Sequence, residues 1–445
     1  MIQKRKSRRQ NASGVVLLTT SILLSAAAPT MAETDTTIVT ESARSAIQNH
    51  PSVVGLRAEV CSAVSQIDRA KSGLYPKVDL RLNGGSSLSS KIERQEVQRR
   101  RFDDKDIDAV VSINQTLYDW GITSSSVGIA SNTHASAKIG TIIESERIAA
   151  DIIGIMINEA NLSSQEKLFQ RYRTKLAEIA ERIEAGVQAG AHRLTDLRTI
   201  KINLLDAEVA HLQIQRQLEL SSADLLERVR ISFDEARPLY IEYLNARPIF
   251  VPSIESKDAR EVQRLDLNHK SNLLELKRTQ AERKPSISAT LDTTLFDVDS
   301  FSSEYEVSGR MQLSFPLYDG GSNKARQSEQ RWRGRAIEQE RLNLIRNHRT
   351  QSDALVQRID QLTENLGKIT NKISEVEQQL EANIARQGQT ESQPLETANL
   401  ISQLHQLHIE QLTLNKDIEL ERLRGIFFAD QLSDVLNLSY GASSC

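Results

Sequence analysis

Four short segments of this chain alternate apolar and polar residues with period two, and they come as two pairs set far apart. In the first pair, Val78, Leu80 and Leu82 alternate with Asp79, Arg81 and Asn83, and Ile107, Ala109, Val111 and Ile113 with Asp108, Ser112 and Asn114. In the second, Ile287, Ala289, Leu291 and Leu295 alternate with Ser286, Ser288, Thr290 and Asp292, and Val307, Met311, Leu313 and Phe315 with Glu306, Ser308, Arg310, Gln312 and Ser314. Each reads as a strand with one greasy and one wet face. At about 9 to 12 residues, each is long enough to cross the hydrocarbon of a bilayer at a tilt. An open four-stranded sheet in lipid would leave two edges of bare N–H and C=O groups, each costing several kcal/mol, and four strands are too few to close a cylinder. The pattern therefore predicts that several copies each give two hairpins to one barrel whose polar face lines a channel.

The two pairs end alike. Leu117-Tyr118-Asp119-Trp120-Gly121 closes the first and Leu317-Tyr318-Asp319-Gly320-Gly321 the second, an internal two-fold repeat offset by 200 residues. That is too long for a solenoid unit and reads as a duplicated half-protein. The repeat extends beyond the strands. Ile200, Leu204, Ala207, His211, Ile214, Leu218 and Leu225 trace a coiled-coil seam with one polar position, and Leu400, Leu404, Leu407, Gln411, Leu414 and Ile418 fall in the same register. No proline occurs from Gly121 to Arg237 or from Leu317 to Gln393, so long helices run there. A helix from Gly121 to about Ala185 would be about 95 Å long and must pack its seam on neighbours. Gly121, Gly320 and Gly321 suit the sharp bend from strand to helix.

The N-terminus is set apart by Lys4, Arg5, Lys6, Arg8 and Arg9, an apolar run from Gly14 to Ala28 and small residues up to Ala32, the pattern of a cleavable secretory signal. No cysteine follows the cut, so no lipid anchor is expected. Removing the five basic residues takes the formal charge from −3 to −8, which argues against a nucleic-acid partner. Cys61 and Cys445 are too few for a disulfide framework, and pairing across the whole chain is not expected, though open.

The chain thus divides into a signal peptide (1–32), an N-terminal periplasmic helix (33–75), a first transmembrane hairpin (76–118), periplasmic helices of the first half (119–231), an irregular equatorial belt (232–257), a helix (258–284), a second hairpin (285–317), periplasmic helices of the second half (318–430) and a tail (431–445). The fold class is mainly α with a small β part. The polar stretches SSLSSKIERQEVQRRRFDDKD and DVDSFSS read as loops at the far side of the membrane, with Arg99, Arg100 and Arg101 solvated or touching anionic head groups.

These motifs resemble the TolC-type outer-membrane channel-tunnel proteins, also called the outer membrane efflux family. The residues that carry the resemblance are Tyr75-Pro76, Gln115-x-Leu117-Tyr118-Asp119-x-Gly121, Phe315-Pro316-Leu317-Tyr318-Asp319-Gly320-Gly321 and Gly190-x-x-x-x-Thr195-Asp196-Leu197. The resemblance implies a homotrimer, a 12-stranded outer-membrane barrel over an α-barrel tunnel, and docking to an inner-membrane ABC or proton-driven transporter through a periplasmic adaptor (membrane fusion) protein. Its type I secretion branch is favoured, with multidrug efflux as the alternative. An exported soluble coiled-coil scaffold is the reading from another class.

Site expectations follow. The strand-to-helix junctions are Tyr118, Asp119, Gly121, Tyr318, Asp319, Gly320 and Gly321. The periplasmic tips should lie near Gly186–Asp196 and Gly388–Glu396, where the resemblance implies acidic gate residues. Asp196 matches the family position, with a helix N-cap as the plain reading. The second turn departs from the family pattern at Pro394 and Thr397, leaving Glu391 and Glu396 as candidates or as solvated helix ends. His405 and His408 lack a third metal ligand, and no catalytic or phosphate-binding motif is present, so no cofactor, metal site or enzymatic activity is expected.

Overall fold

The computed structural model describes residues 41–85, 106–248, 258–296, 298, 304–385, 394–438 and 445. The signal segment, Arg99–Arg101 and Glu391 lie outside the described residues. Helix α1 (41–48) and α2 (Pro51–Lys71) lead into strands β1 (Lys77–Gly85) and β2 (Asp106–Tyr118), then α3 (Ile122–Gln188) and α4 (Leu194–Val229). After α5 (Phe233–Ala246), the same order recurs: α6 (Arg260–Ala281), β3 (Ser286–Leu295), β4 (Tyr305–Ser314), α7 (Ser322–Ala385), α8 (Pro394–Phe428) and a short α9 (Leu432–Val435). With 67 residues, α3 is about 100 Å long. No described helix is long and apolar enough to cross a membrane.

The four strands form one antiparallel sheet in the order β1-β2-β3-β4, so β1 and β4 are open edges. Register decides what the sheet shows. Val78 pairs with Ile113, Leu80 with Val111 and Leu82 with Ala109; Ile113 pairs with Leu291 and Ala109 with Leu295; Ala289 pairs with Met311 and Ile287 with Leu313. Because side chains alternate with period two, this alignment gathers these apolar residues of all four strands on one face and leaves a mostly polar set, with Val110, on the other. Between Thr116 and Tyr118 the ladder shifts by a bulge, where β2 ends.

The helices pack laterally. Along its length α3 meets α2 and α6 near the sheet, then α4 and α8 farther away, while α7 lies against α6 and α8. Mid-height is the largest core cluster among the described residues: Ile148, Ile152, Ile153 and Met156 of α3 bury against Ile47, Leu239, Tyr243 and Ile426. Farther from the sheet, Phe169, Leu176 and Ile183 of α3 pack on Leu197 and Ile200 of α4 and on Ala398 of α8.

Three expectations are corrected. The span 232–257 is not irregular at its start: a capping box, with Ser232 and Glu235 satisfying each other's backbone and side chain, nucleates α5, and Pro238 sits within it. The N-terminal segment is not one helix, because His50-Pro51 breaks it and the His50 ring accepts from Ser52 N–H to start α2. The cysteines do pair: Cys61 in α2 and Cys445 form a disulfide with Cα atoms 5.5 Å apart. Composition could not show that the fold returns the C-terminus to α2.

Candidate functional site

Each strand-to-helix junction is organised by an aspartate. In the first half, Asp119 accepts from Gly121 N–H at 3.0 Å and from Thr123 N–H and its hydroxyl at 2.7 and 2.5 Å. In the second, Asp319 accepts from Gly321 N–H at 3.0 Å and from Asn323 N–H at 2.8 Å. The carboxylates thereby satisfy the orphan donors of α3 and α7 and sit at the positive end of each helix dipole. For Asp119, burial works toward a higher pKa, but the hydrogen bonds from Thr123 and Gly121 outweigh it and hold the carboxyl below its ordinary range. The hydrogen bond from Asn323 N–H does the same for Asp319.

Both turns need two successive left-handed residues. In the second half they are Gly320 and Gly321, at φ +65° and +87°. In the first half they are Trp120 and Gly121, at +56° and +88°. A tryptophan there costs about 1–2 kcal/mol of backbone strain, and its side chain is held in return. Trp120 Nε1–H donates to the Pro285 carbonyl at 2.7 Å, Lys284 lies 4.6 Å from the ring centre and Tyr118 packs edge-on at 4.9 Å. Trp120 thus ties the first junction to the start of β3, a role that Leu-Tyr-Asp-x-Gly hides under its x. Tyr118 and Tyr318 are exposed, as are Leu117 and Leu317.

At the far end, α3 reverses into α4. The Gly186 carbonyl accepts from Ala191 and His192 N–H, and the His192 ring lies so close that a Cβ at position 186 would sit 2.1 Å from it. Asp196 is not the N-cap of α4. That place is held by Arg193, without a side-chain bond, and Asp196 lies in the first turn, where its charge favours the helix dipole. Glu396 stands exposed in the first turn of α8. The structure does not bring Asp196 and Glu396 into contact with one another.

The polar position of the seam is filled differently in each half: His211 stacks on Phe169 at 4.4 Å, while Gln411 donates to Thr370 at 3.3 Å. His405 stacks on Tyr172 at 4.1 Å, and His408 Nδ1 bonds to the Leu404 carbonyl at 2.8 Å, so the two rings serve packing and local bonding. Among the described residues no three potential ligands gather as a metal site.

A further cluster was not read from sequence. Glu146, 1% exposed in the middle of α3, accepts from the Arg260 guanidinium and from Ser433 N–H at 2.8 Å. Arg260 also donates to Ser433 Oγ at 3.0 Å and, through its backbone, to Asp430 at 2.6 Å. A carboxylate beside the mostly apolar stretch Ile148–Ile157, interrupted at Asp151, was the available signal; its partners, over 110 residues away, were not legible.

The outstanding surface feature is the sheet. Its apolar face is bare: Leu80 and Leu82 of β1 and Met311 and Leu313 of β4 are 65%, 66%, 73% and 68% exposed. A continuous greasy face bordered by two unpaired edges fits lipid on one side and further strands on the other.

Residues 43–227 match the family model described as outer membrane efflux protein. No curated protein sequence matches significantly. Solved structures share the fold across most of the chain. The outer membrane protein VceC of Vibrio cholerae aligns with a TM-score of 0.71 at 16% identity over 91% of this chain and 96% of its own. The open-state MtrE outer membrane channel of Neisseria gonorrhoeae gives 0.71 at 14% over 88% of each chain. The CmeC outer membrane channel of Campylobacter jejuni gives 0.71 at 11% over 88% and 86%.

Proposed function

Starting from a chain of the outer membrane efflux protein family with the TolC-type fold, we propose that it is the passive exit duct of a tripartite exporter, set in the outer membrane and reaching through the periplasm. The observation that carries this reading is the single apolar face running across four strands whose outer edges are unpaired. Hydrocarbon does not tolerate bare peptide groups, so β4 of one copy pairs with β1 of the next until the ring closes. Three copies, the number implied by the family resemblance, give twelve strands. Below the sheet, α3 and α7 prolong the wall.

A duct of this kind supplies no energy. A periplasmic adaptor and an inner-membrane ABC or proton-driven transporter supply it, and the helix turns near Asp196 and Glu396, with Glu391, are their contact or gate. The Tyr318-Asp319-Gly320-Gly321 turn and the long first loop favour protein cargo of type I secretion. The family description, outer membrane efflux protein, favours efflux as the alternative. Deleting the gene and assaying protein export and drug sensitivity separately decides between them.

The duct itself is tested by membrane fractionation and electrophoresis without boiling. An oligomer band in the outer-membrane fraction that collapses to monomer on heating is the expected result. A soluble monomer would overturn the proposal and leave the exported scaffold.

A further inference from the structure

The first 28 residues of α7 carry a charge that helix packing does not require. Between Ser322 and Arg349 there are eight basic and three acidic side chains; in the same stretch of α3, Ile122 to Ala149, there are two of each. The excess is ordered. At about 100° per residue, Lys324, Arg331, Arg335, Arg346 and Arg349 fall within about 40° of one line, a stripe about 38 Å long beginning below the sheet. All five are exposed. None forms an ion pair among the described residues, whereas Arg326 of the same helix pairs with Glu282 at 2.8 Å. The register-equivalent positions of α3 are Ser124, Ser131, Ala135, Glu146 and Ala149, with no cation.

The stripe faces neither neighbouring helix nor lumen, an orientation that rests on the duct reading. Asn323, Gln330 and Arg341 bond to α6, and the stripe lies a quarter turn from that side. With the apolar sheet face toward lipid, Ile107 points outward, and its carbonyl accepts from Val298 N–H at 2.9 Å just beyond β3. For L-residues this puts β3 to the left of the descending β2 as seen from outside, so the elements advance clockwise from the barrel end. α6 is then anticlockwise of α7. A right-handed helix descending from the sheet places a stripe a clockwise quarter turn from α6 on the outer surface of the wall.

We infer that this stripe holds the duct to an anionic polymer of the periplasm, one made of sugar and carboxylate-bearing peptide. The cations are spread along a line rather than gathered in a pocket, as an extended polyanion requires. Trp332, with the Arg335 guanidinium 4.7 Å above its ring, borders the stripe on the side away from α6. An acidic helix is the poorer fit, because rod-on-rod docking also buries an apolar seam. Between its cations the stripe presents Ser328, Glu338 and Leu342.

The test is co-sedimentation of the purified full-length protein in detergent with isolated peptidoglycan sacculi. Saturable, salt-sensitive binding is expected. Replacing Lys324, Arg331, Arg335, Arg346 and Arg349 together by Gln should weaken it ~30-fold, at a factor of ~2 for each exposed ion pair. The same substitution of Arg171, Arg173, Lys175, Arg198 and Lys372 should leave it within about twofold. Sacculi whose carboxylates have been amidated should no longer retain the protein. Equal loss in both variants, retention on amidated sacculi, or binding to soluble polyglutamate but not to sacculi overturns the inference. The oligomeric state of each variant, read in parallel by size exclusion, separates failure of the stripe from failure of the duct.

Discussion

Glu146 is the place where a single atom exchange should be felt farthest. Its buried carboxylate joins α3 to the start of α6 and to the start of α9, through Arg260 and Ser433 N–H. In Glu146→Gln the charge is lost while the shape stays. Arg260 is then left partly buried without its anion, and the amide can turn a donor toward Ser433 N–H. Breaking a buried pair costs about 3–5 kcal/mol. The Arg260 side chain is 19% exposed, which places the cost near the lower end, about 3 kcal/mol or ~150-fold in a local opening equilibrium. The opening should be confined to the segments that Glu146 holds. Hydrogen exchange followed by mass spectrometry should therefore show faster exchange over residues 428–438 and 258–264, while α3 and α4 near the far turn keep wild-type protection. Removing both charges in Glu146→Leu with Arg260→Met should cost less than Glu146→Gln alone, because no unpaired charge remains. Unchanged exchange in Glu146→Gln, or a double variant as open as the sum of the singles, would refute the reasoning.

Other outcomes are as specific. Asp119→Asn should lower thermal stability by about 1 kcal/mol, as for loss of a helix cap. Because the Asp119 carboxyl is held below its usual pKa, its contribution is complete at neutral pH and is lost only as pH falls below about 4, so acid melts of wild type and variant should converge there. His405, pushed down to about 4 by burial and by His408, is neutral in the fold. The unfolded chain takes up a proton first as pH falls from about 6.5, so stability should decline between about pH 6.5 and 4. In His405→Gln that slope should flatten. Cys61→Ser, in protein recovered from an oxidising compartment, should convert Cys445 from unreactive to maleimide-labelled. It should also lower stability by up to roughly 5 kcal/mol, the loop-closure limit for so distant a pair.

Much of the architecture follows from periodicity. Period-two runs at 78–82, 107–113, 287–295 and 307–313 specify two-faced strands whatever surrounds them, because alternation is a property of the extended backbone. Proline-free spans with 3-4 spacing specify long helices for the same local reason. The junction aspartates were legible too, since the Asp119 and Asp319 carboxylates accept from donors two and four residues on. What tertiary structure alone decided are meetings between distant segments: Trp120 with the Pro285 carbonyl, Glu146 with Arg260 and Ser433, Cys61 with Cys445, and the register that brings the alternating apolar positions of all four strands to one face. A local pattern is encoded within the few residues that share its hydrogen bonds. A contact across 100 to 400 residues depends on where long rigid helices return the chain, and that distance is set by packing along their whole length.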